Sequence, residues 1–337
     1  MLFNKKYVSS RVNCTVMIRF VSPVFALLAV LSAATACTQG IPEVTEPGAK
    51  ISRIECIMEG FEPDDATKVA TVVSGSSLVS TWEEGDVIGV FPDMGGDQVS
   101  FTVASGAGTS NCTFDGEGWG LISAARYSAY YPYHTENYGG SDAWKNIKVS
   151  YVGQSQSGKG VFGVGKYDYM ACTNAVPSFD EEVSGTCTFT FKHLGAILVL
   201  DIKFPTAAFL STLELVCNGD LFTEAGTVDL SQSQSAASIT STAKGNTLSL
   251  DLGGMSVMAN ETVRFYMMAA PANLTSEMPT VRAITTSGEE MTKKLTSSYN
   301  LKAGKAYSLS ATLNPPASAT ATLRATPLCL LRELPGS

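Results

Sequence analysis

Apolar and polar residues alternate with a period of two along most of the chain. The runs at 86–91 (Asp-Val-Ile-Gly-Val-Phe), 98–103 (Gln-Val-Ser-Phe-Thr-Val), 146–151, 186–191 and 262–267 all show it. In a strand, successive side chains point to opposite faces, so Phe189 and Phe191 share one face and Thr188 and Thr190 the other. Turn-forming clusters separate these runs, among them Gly95-Gly96, Gly139-Gly140, Asn218-Gly219, Gly253-Gly254 and Ser287-Gly288. Short alternating strands with turns at this spacing predict an all-β protein built as two tandem antiparallel β-sandwich domains. Long stretches at helical period are absent. Only 138–145 and 205–210 read as single helical turns.

One run differs. Residues 195–203 (Gly-Ala-Ile-Leu-Val-Leu-Asp-Ile-Lys) are almost wholly apolar, which predicts a central strand covered on both faces. The boundary between domains is expected just before it, near 178–186, where Pro177, Ser178, three acidic residues and Gly185 gather. This gives an N-terminal domain over 50–183, a C-terminal domain over 184–315 and a low-complexity tail over 316–337.

The first 36 residues read as a secretory leader. Lys5, Lys6, Arg11 and Arg19 precede a short apolar run, and small residues lead to Cys37. Met17 offers a more compact alternative start. Small residues directly before a cysteine suit a lipoprotein signal, with Cys37 acylated as the new N-terminus and 37–49 as a linker. The expected location is the outer membrane and cell surface.

Composition narrows the function. With 23 Lys+Arg against 31 Asp+Glu, the net charge of −8 argues against nucleic acid as a partner. Two histidines, His134 and His193, leave little for a metal site or a catalytic triad. No phosphate loop, dinucleotide fingerprint or nucleophile elbow occurs, so no enzyme, no cofactor and no metal are expected. Glu83, Glu84 and Asp86 read as a solvated turn before a strand, and Asp93 and Asp97 lack calcium-loop spacing. The cysteines outside the leader show no CxxC pair and read as small buried residues rather than a disulfide framework. Tyr130, Tyr133 and Trp144 are the aromatic residues that would make a ligand surface, packing being the alternative.

Several segments together resemble the fimbrillin superfamily of surface lipoproteins from Gram-negative anaerobes. Trp82-Glu-Glu-Gly-Asp-Val-Ile-Gly-Val-Phe91 is similar to its W-x-x-G-D-x-I-G-V-F strand. Arg126-Tyr-Ser-Ala-Tyr-Tyr-Pro-Tyr133 is similar to its aromatic strand, and Tyr167-Asp-Tyr-Met-Ala171 to its D-x-M segment. Phe189-Thr-Phe-Lys-His-Leu-Gly-Ala-Ile-Leu198 resembles its central strand pair. Ala270-Pro-Ala-Asn-Leu274 and Leu301-Lys-Ala-Gly-Lys-Ala-Tyr307 match its late part.

The resemblance implies transthyretin-like sandwiches and a non-enzymatic role as a type V pilus subunit. Such a subunit is exported as a lipoprotein, loses its first strand to a protease and accepts an extended strand from a neighbour, homo- or heteropolymeric. Here the candidate first strand carries Ile54, Cys56 and Met58 on one face. The candidate cleavage residues are Lys68, where family members often carry Arg, and Arg53 within the strand. The candidate donor strand presents Tyr307, Leu309, Ala311 and Leu313 on one face before Pro315-Pro316 interrupts it. That interruption keeps a tip or anchor subunit open. A non-polymerising adhesin for glycan or host protein is the rival reading.

Overall fold

The computed structural model describes residues 50–63, 80–116, 124–160, 163–179, 184–297 and 299–316. The leader, Cys37, Lys68 and the tail from 317 lie outside the described residues. Among those described, every regular element is a strand apart from three single turns of 3-10 helix, at Thr135–Asn137, Ala143–Lys145 and Gly165–Tyr167. No helix among them is long and apolar enough to cross a membrane. One helical turn thus falls inside the expected 138–145. The other expected turn, 205–210, is a bend leading into the strand Ala208–Val216. Period two wins there: Leu210 is buried while its neighbour Phe209 stands 63% exposed.

The larger sheet closes on itself like a barrel. Its order is Lys50–Met58, Asn111–Asp115, Val99–Ser105, Val87–Pro92, Tyr127–Tyr131, Met170–Ala175 and Ser184–His193, and the last of these pairs back to the first. All the other pairings in this ring are antiparallel, and the closing one is parallel, from Lys50↔Ser184 to Met58↔Phe191. The short strand Ser178–Phe179 lies on the other edge of Ser184–His193. Alternation fills the interior: Ile54, Ile88, Phe101, Phe114, Phe189 and Phe191 form one core with Trp82. The strand Ser184–His193 was expected to open the second domain. It is a stave of the first sheet, because its Cys187, Phe189 and Phe191 face this core.

A second core lies between two further sheets. One has the order Thr262–Ala269, Ala196–Lys203, Lys305–Thr312, Glu62–Pro63, and the other Glu290–Lys294, Thr280–Thr285, Ala208–Val216, Thr247–Val257, Gln154–Ser155. Leu198, Leu200 and Tyr307 from the first meet Leu213, Leu250 and Val281 from the second in one buried cluster. The apolar strand Ala196–Lys203 is central, paired antiparallel on one side and parallel on the other. A three-stranded sheet of Ile239–Gly245, Phe222–Val228 and Ile147–Ser150 accompanies a third, smaller cluster around Phe91, Tyr130 and Trp144.

Candidate functional site

The first strand, Lys50–Met58, is held on both edges. It runs antiparallel to Asn111–Asp115, with Ile54↔Phe114 and Cys56↔Cys112 directly opposed, and parallel to Ser184–His193. Ile54, Cys56 and Met58 point inward and are buried, while Arg53 and Ile57 point outward. The alternation puts the apolar Ile57 on the outer face, where it is 40% exposed. Arg53 forms an ion pair with Glu55 at 3.2 Å on the outer face.

Beyond Met58 the chain crosses from the first sheet to the second, and every step is bonded. The Met58 amide donates to the Ser110 carbonyl at 2.9 Å, and the Glu59 amide to the Phe191 carbonyl at 3.1 Å. The imidazole of His193 then clamps the crossing. Its Nε2 lies 2.5 Å from the Glu59 carbonyl and its Nδ1 lies 2.7 Å from Asp168 Oδ1. Phe61 stacks on the same ring, with centroids 3.8 Å apart, and reaches into the second core. Glu62 and Pro63 pair in parallel with Lys305 and Ala306, and the Lys305 ammonium bonds the Glu62 carboxylate.

Two acceptors flank the His193 ring, a carboxylate and a carbonyl. The Glu59 carbonyl can only accept, so Nε2 carries a proton toward it, and the Nδ1–Asp168 contact shares another. Burial pushes the Asp168 carboxyl above the usual carboxylate range, and the neighbouring His193 opposes that push. The sequence offers no signal that joins His193 to Asp168, 25 residues away. A cleft of about 580 Å³ opens beside the crossing, lined by Met58, Phe61, Asp86, Tyr131, Asp168 and Tyr266 among others.

The last long strand, Lys305–Thr312, carries the candidate donor residues. Tyr307 and Leu309 in it, with Leu313 just beyond, are buried in the chain's own second core, and Ala311 is half-buried against it. The Tyr307 hydroxyl donates to the Asn300 carbonyl at 2.6 Å. One edge of this strand pairs with Ala196–Lys203 along its length. Among the described residues its other edge is covered only by Glu62–Pro63.

The remaining candidates separate. Tyr130 and Trp144 are buried in the third cluster, with the Tyr130 hydroxyl donating to Gln98 Oε1 at 2.6 Å, and Tyr133 is half-buried against them. They pack together rather than present an open stacking face. Glu83, Glu84 and Asp86 form a tight turn around Gly85, whose φ of 89° favours glycine. Within it Asp86 accepts from the Glu83 amide at 2.8 Å and from the Tyr131 hydroxyl at 2.8 Å. Among the described residues no group of three or more His, Cys, Asp or Glu side chains is placed to hold a metal ion. Cys56, Cys112, Cys172, Cys187 and Cys217 are buried thiols.

Comparison with known proteins places this geometry in a family. Among solved structures, a candidate cell adhesion protein from Bacteroides ovatus is similar at 17% identity and a TM-score of 0.46, over 78% of this chain and 92% of that one. A candidate cell adhesion protein from Bacteroides uniformis is similar at 20% identity and a TM-score of 0.46, over 69% and 88%. The tip fimbrial protein Mfa3 from Porphyromonas gingivalis, with C-terminal truncation, is similar at 12% identity and a TM-score of 0.32, over 72% and 81%. No curated protein matches the sequence. The family model described as Fimbrillin-like matches residues 67–327, well over half of the chain, and the protein belongs to that family.

Proposed function

We propose that this protein is a cell-surface pilus subunit, exported as a lipoprotein on Cys37, whose first strand is a removable insert. Cleavage in the segment 64–79, at Lys68, would free everything from the N-terminus through Pro63. One observation carries the reading. Lys50–Met58 is a stave of the first sheet, and the same stretch of chain, at Glu62–Pro63, is the sole cover among the described residues on one edge of Lys305–Thr312. Its loss would open two strand edges in the first sheet and one in the second. These unpaired backbone groups form a template for an extended strand from a neighbouring subunit.

Arg53 is the weaker cleavage site, because its peptide lies between two ladders. The burial of Tyr307, Leu309 and Leu313 supports a further refinement: Lys305–Thr312 acts as a wall of the groove, since donating it would empty three core positions. The reading includes two tandem transthyretin-like domains. The separate cores, over 51–191 and chiefly 196–313, support two domains with the strand Ser184–His193 in the first of them.

Light scattering after size exclusion tests the proposal on residues 38–337 kept in dithiothreitol, before and after brief trypsin treatment, with fragment masses locating the cut. Cleavage at Lys68 with conversion of monomer to larger species is the expected result. Cleavage at Lys68 with a stable monomer would count against strand exchange.

A further inference from the structure

Cys56 and Cys112 stand directly opposite each other on antiparallel neighbours. Both point inward, being 1% and 5% exposed, and both belong to the first core. The pairs beside them agree, since Ile54↔Phe114 also faces inward. Directly opposed residues in an antiparallel pair have Cα atoms roughly 4.5–5.5 Å apart. A disulfide needs roughly 4.4–6.8 Å. Cys172 and Cys187 share this core but stand opposite no cysteine in the strand registers, Cys172 facing Ala129 and Cys187 facing Ile54.

We propose that Cys56 and Cys112 form a disulfide across this strand pair, and that the bond decides whether a cut first strand can leave the protein. The second half of the proposal rests on the removable-strand reading above. A disulfide oxidant of the envelope, either a small-molecule disulfide or a thiol oxidoreductase, supplies the chemistry. One cysteine thiolate attacks the oxidant's sulfur, forming a mixed disulfide and expelling one thiolate. The second cysteine thiolate attacks the protein sulfur of that mixed disulfide, which forms the Cys56–Cys112 bond and expels the other thiolate. The pair loses two electrons, the oxidant gains them, and the two protons end on its released thiols.

Timing follows from burial. Desolvation holds both thiols above their usual range in the folded protein, Cys56 the more strongly. Neither is a ready nucleophile once the barrel has closed, so the bond forms while the chain is folding and is then shielded. It closes a loop from 56 to 112 that contains Lys68. A cut at Lys68 therefore leaves the first strand covalently tied to Asn111–Asp115 until a reductant opens the bond.

The test uses the full chain, exported through an oxidising compartment and denatured in N-ethylmaleimide without reductant. Peptide mapping is expected to find Cys56 and Cys112 in one joined mass that dithiothreitol splits. Alkylated Cys56 and Cys112, or either joined to another cysteine, would overturn the proposal. A sequence-specific protease site placed between Pro63 and Ser80 then makes the cut independent of Lys68. In denaturant the cut strand should stay with the body without reductant, and separate with dithiothreitol or in the Cys112→Ser variant. Separation of the unreduced parent would refute the lock. Failure of the natural Lys68 cleavage is read separately, on the unaltered chain, and bears on the removable-strand reading alone.

Discussion

Replacing His193 with Ala is expected to destabilise the protein by about 3–5 kcal/mol, the usual cost of removing one partner from a buried ion pair. Three losses coincide. The buried Asp168 carboxyl loses its Nδ1 partner, the Glu59 carbonyl loses its donor, and Phe61 loses the ring it stacks on. Asp168→Asn should cost far less, about 1 kcal/mol or under, because a side-chain amide can donate to Nδ1 while Nε2–H stays on the Glu59 carbonyl. Urea unfolding of the two variants checks the contrast. Equal losses would mean that the charge of Asp168, not the hydrogen-bond geometry, holds the crossing.

The pair also has a predicted pH signature. A carboxyl raised in the folded state keeps its proton where the unfolded chain has already lost it, so stability falls as pH rises through that window. Acidification from neutrality into the carboxylate range should therefore favour the parent over Asp168→Asn. Glu62 has the opposite sign. Its hydrogen bond and ion pair with Lys305 lower its carboxyl, so that contribution is present above the ordinary carboxylate value and is lost as pH falls through the lowered one. The parent-minus-variant difference, measured at several pH values, isolates Asp168 from Glu62.

The second large effect is expected at Trp82. Its ring is fully buried and meets Phe114, Tyr131 and Phe191 edge-on at 5.0, 5.3 and 5.4 Å between centroids. Trp82→Ala removes the hub of the first core and should cost about 3–5 kcal/mol. With urea slopes of about 1–3 kcal/mol/M, the midpoint should fall by roughly 1–5 M. Trp82→Phe should recover much of this, because the indole Nε1 is buried and finds no acceptor among the described residues. If Trp82→Phe is as damaging as Trp82→Ala, the indole is held by an interaction that its ring contacts do not explain.

Much of this arrangement is legible in sequence, and the illegible part has a common cause. Alternation at 186–191 and 86–91 states which side chains face a core, and the structure buries Phe189, Phe191, Ile88 and Val90 accordingly. The almost wholly apolar run at 195–203 correctly marks a central strand. Period two says nothing about which strand lies alongside, so the parallel closure of Lys50–Met58 on Ser184–His193 could not be read, and the latter was grouped with the wrong sheet. Aromatic residues are equally ambiguous. Tyr130 and Trp144 have the composition of a stacking surface and the burial of a core. The clamp at the crossing was hidden because Glu59 to Pro63 has no pattern of its own, and Phe61 acquires meaning only through His193.

The parallel closure also sets an order of events as the chain is made. Lys50–Met58 emerges before the strands it pairs with, and its parallel partner begins 134 residues later, at Ser184. Contacts this distant in sequence are the slow ones, since the loop between them must be ordered before they contribute. The earliest segment to emerge is thus among the last to dock completely, and for that interval the nascent chain carries an amphipathic strand with one edge unclaimed. Asn111–Asp115, which appears much sooner and pairs with it in antiparallel fashion, can hold it meanwhile. The hairpin side of the barrel then serves as an internal chaperone for the strand that closes it.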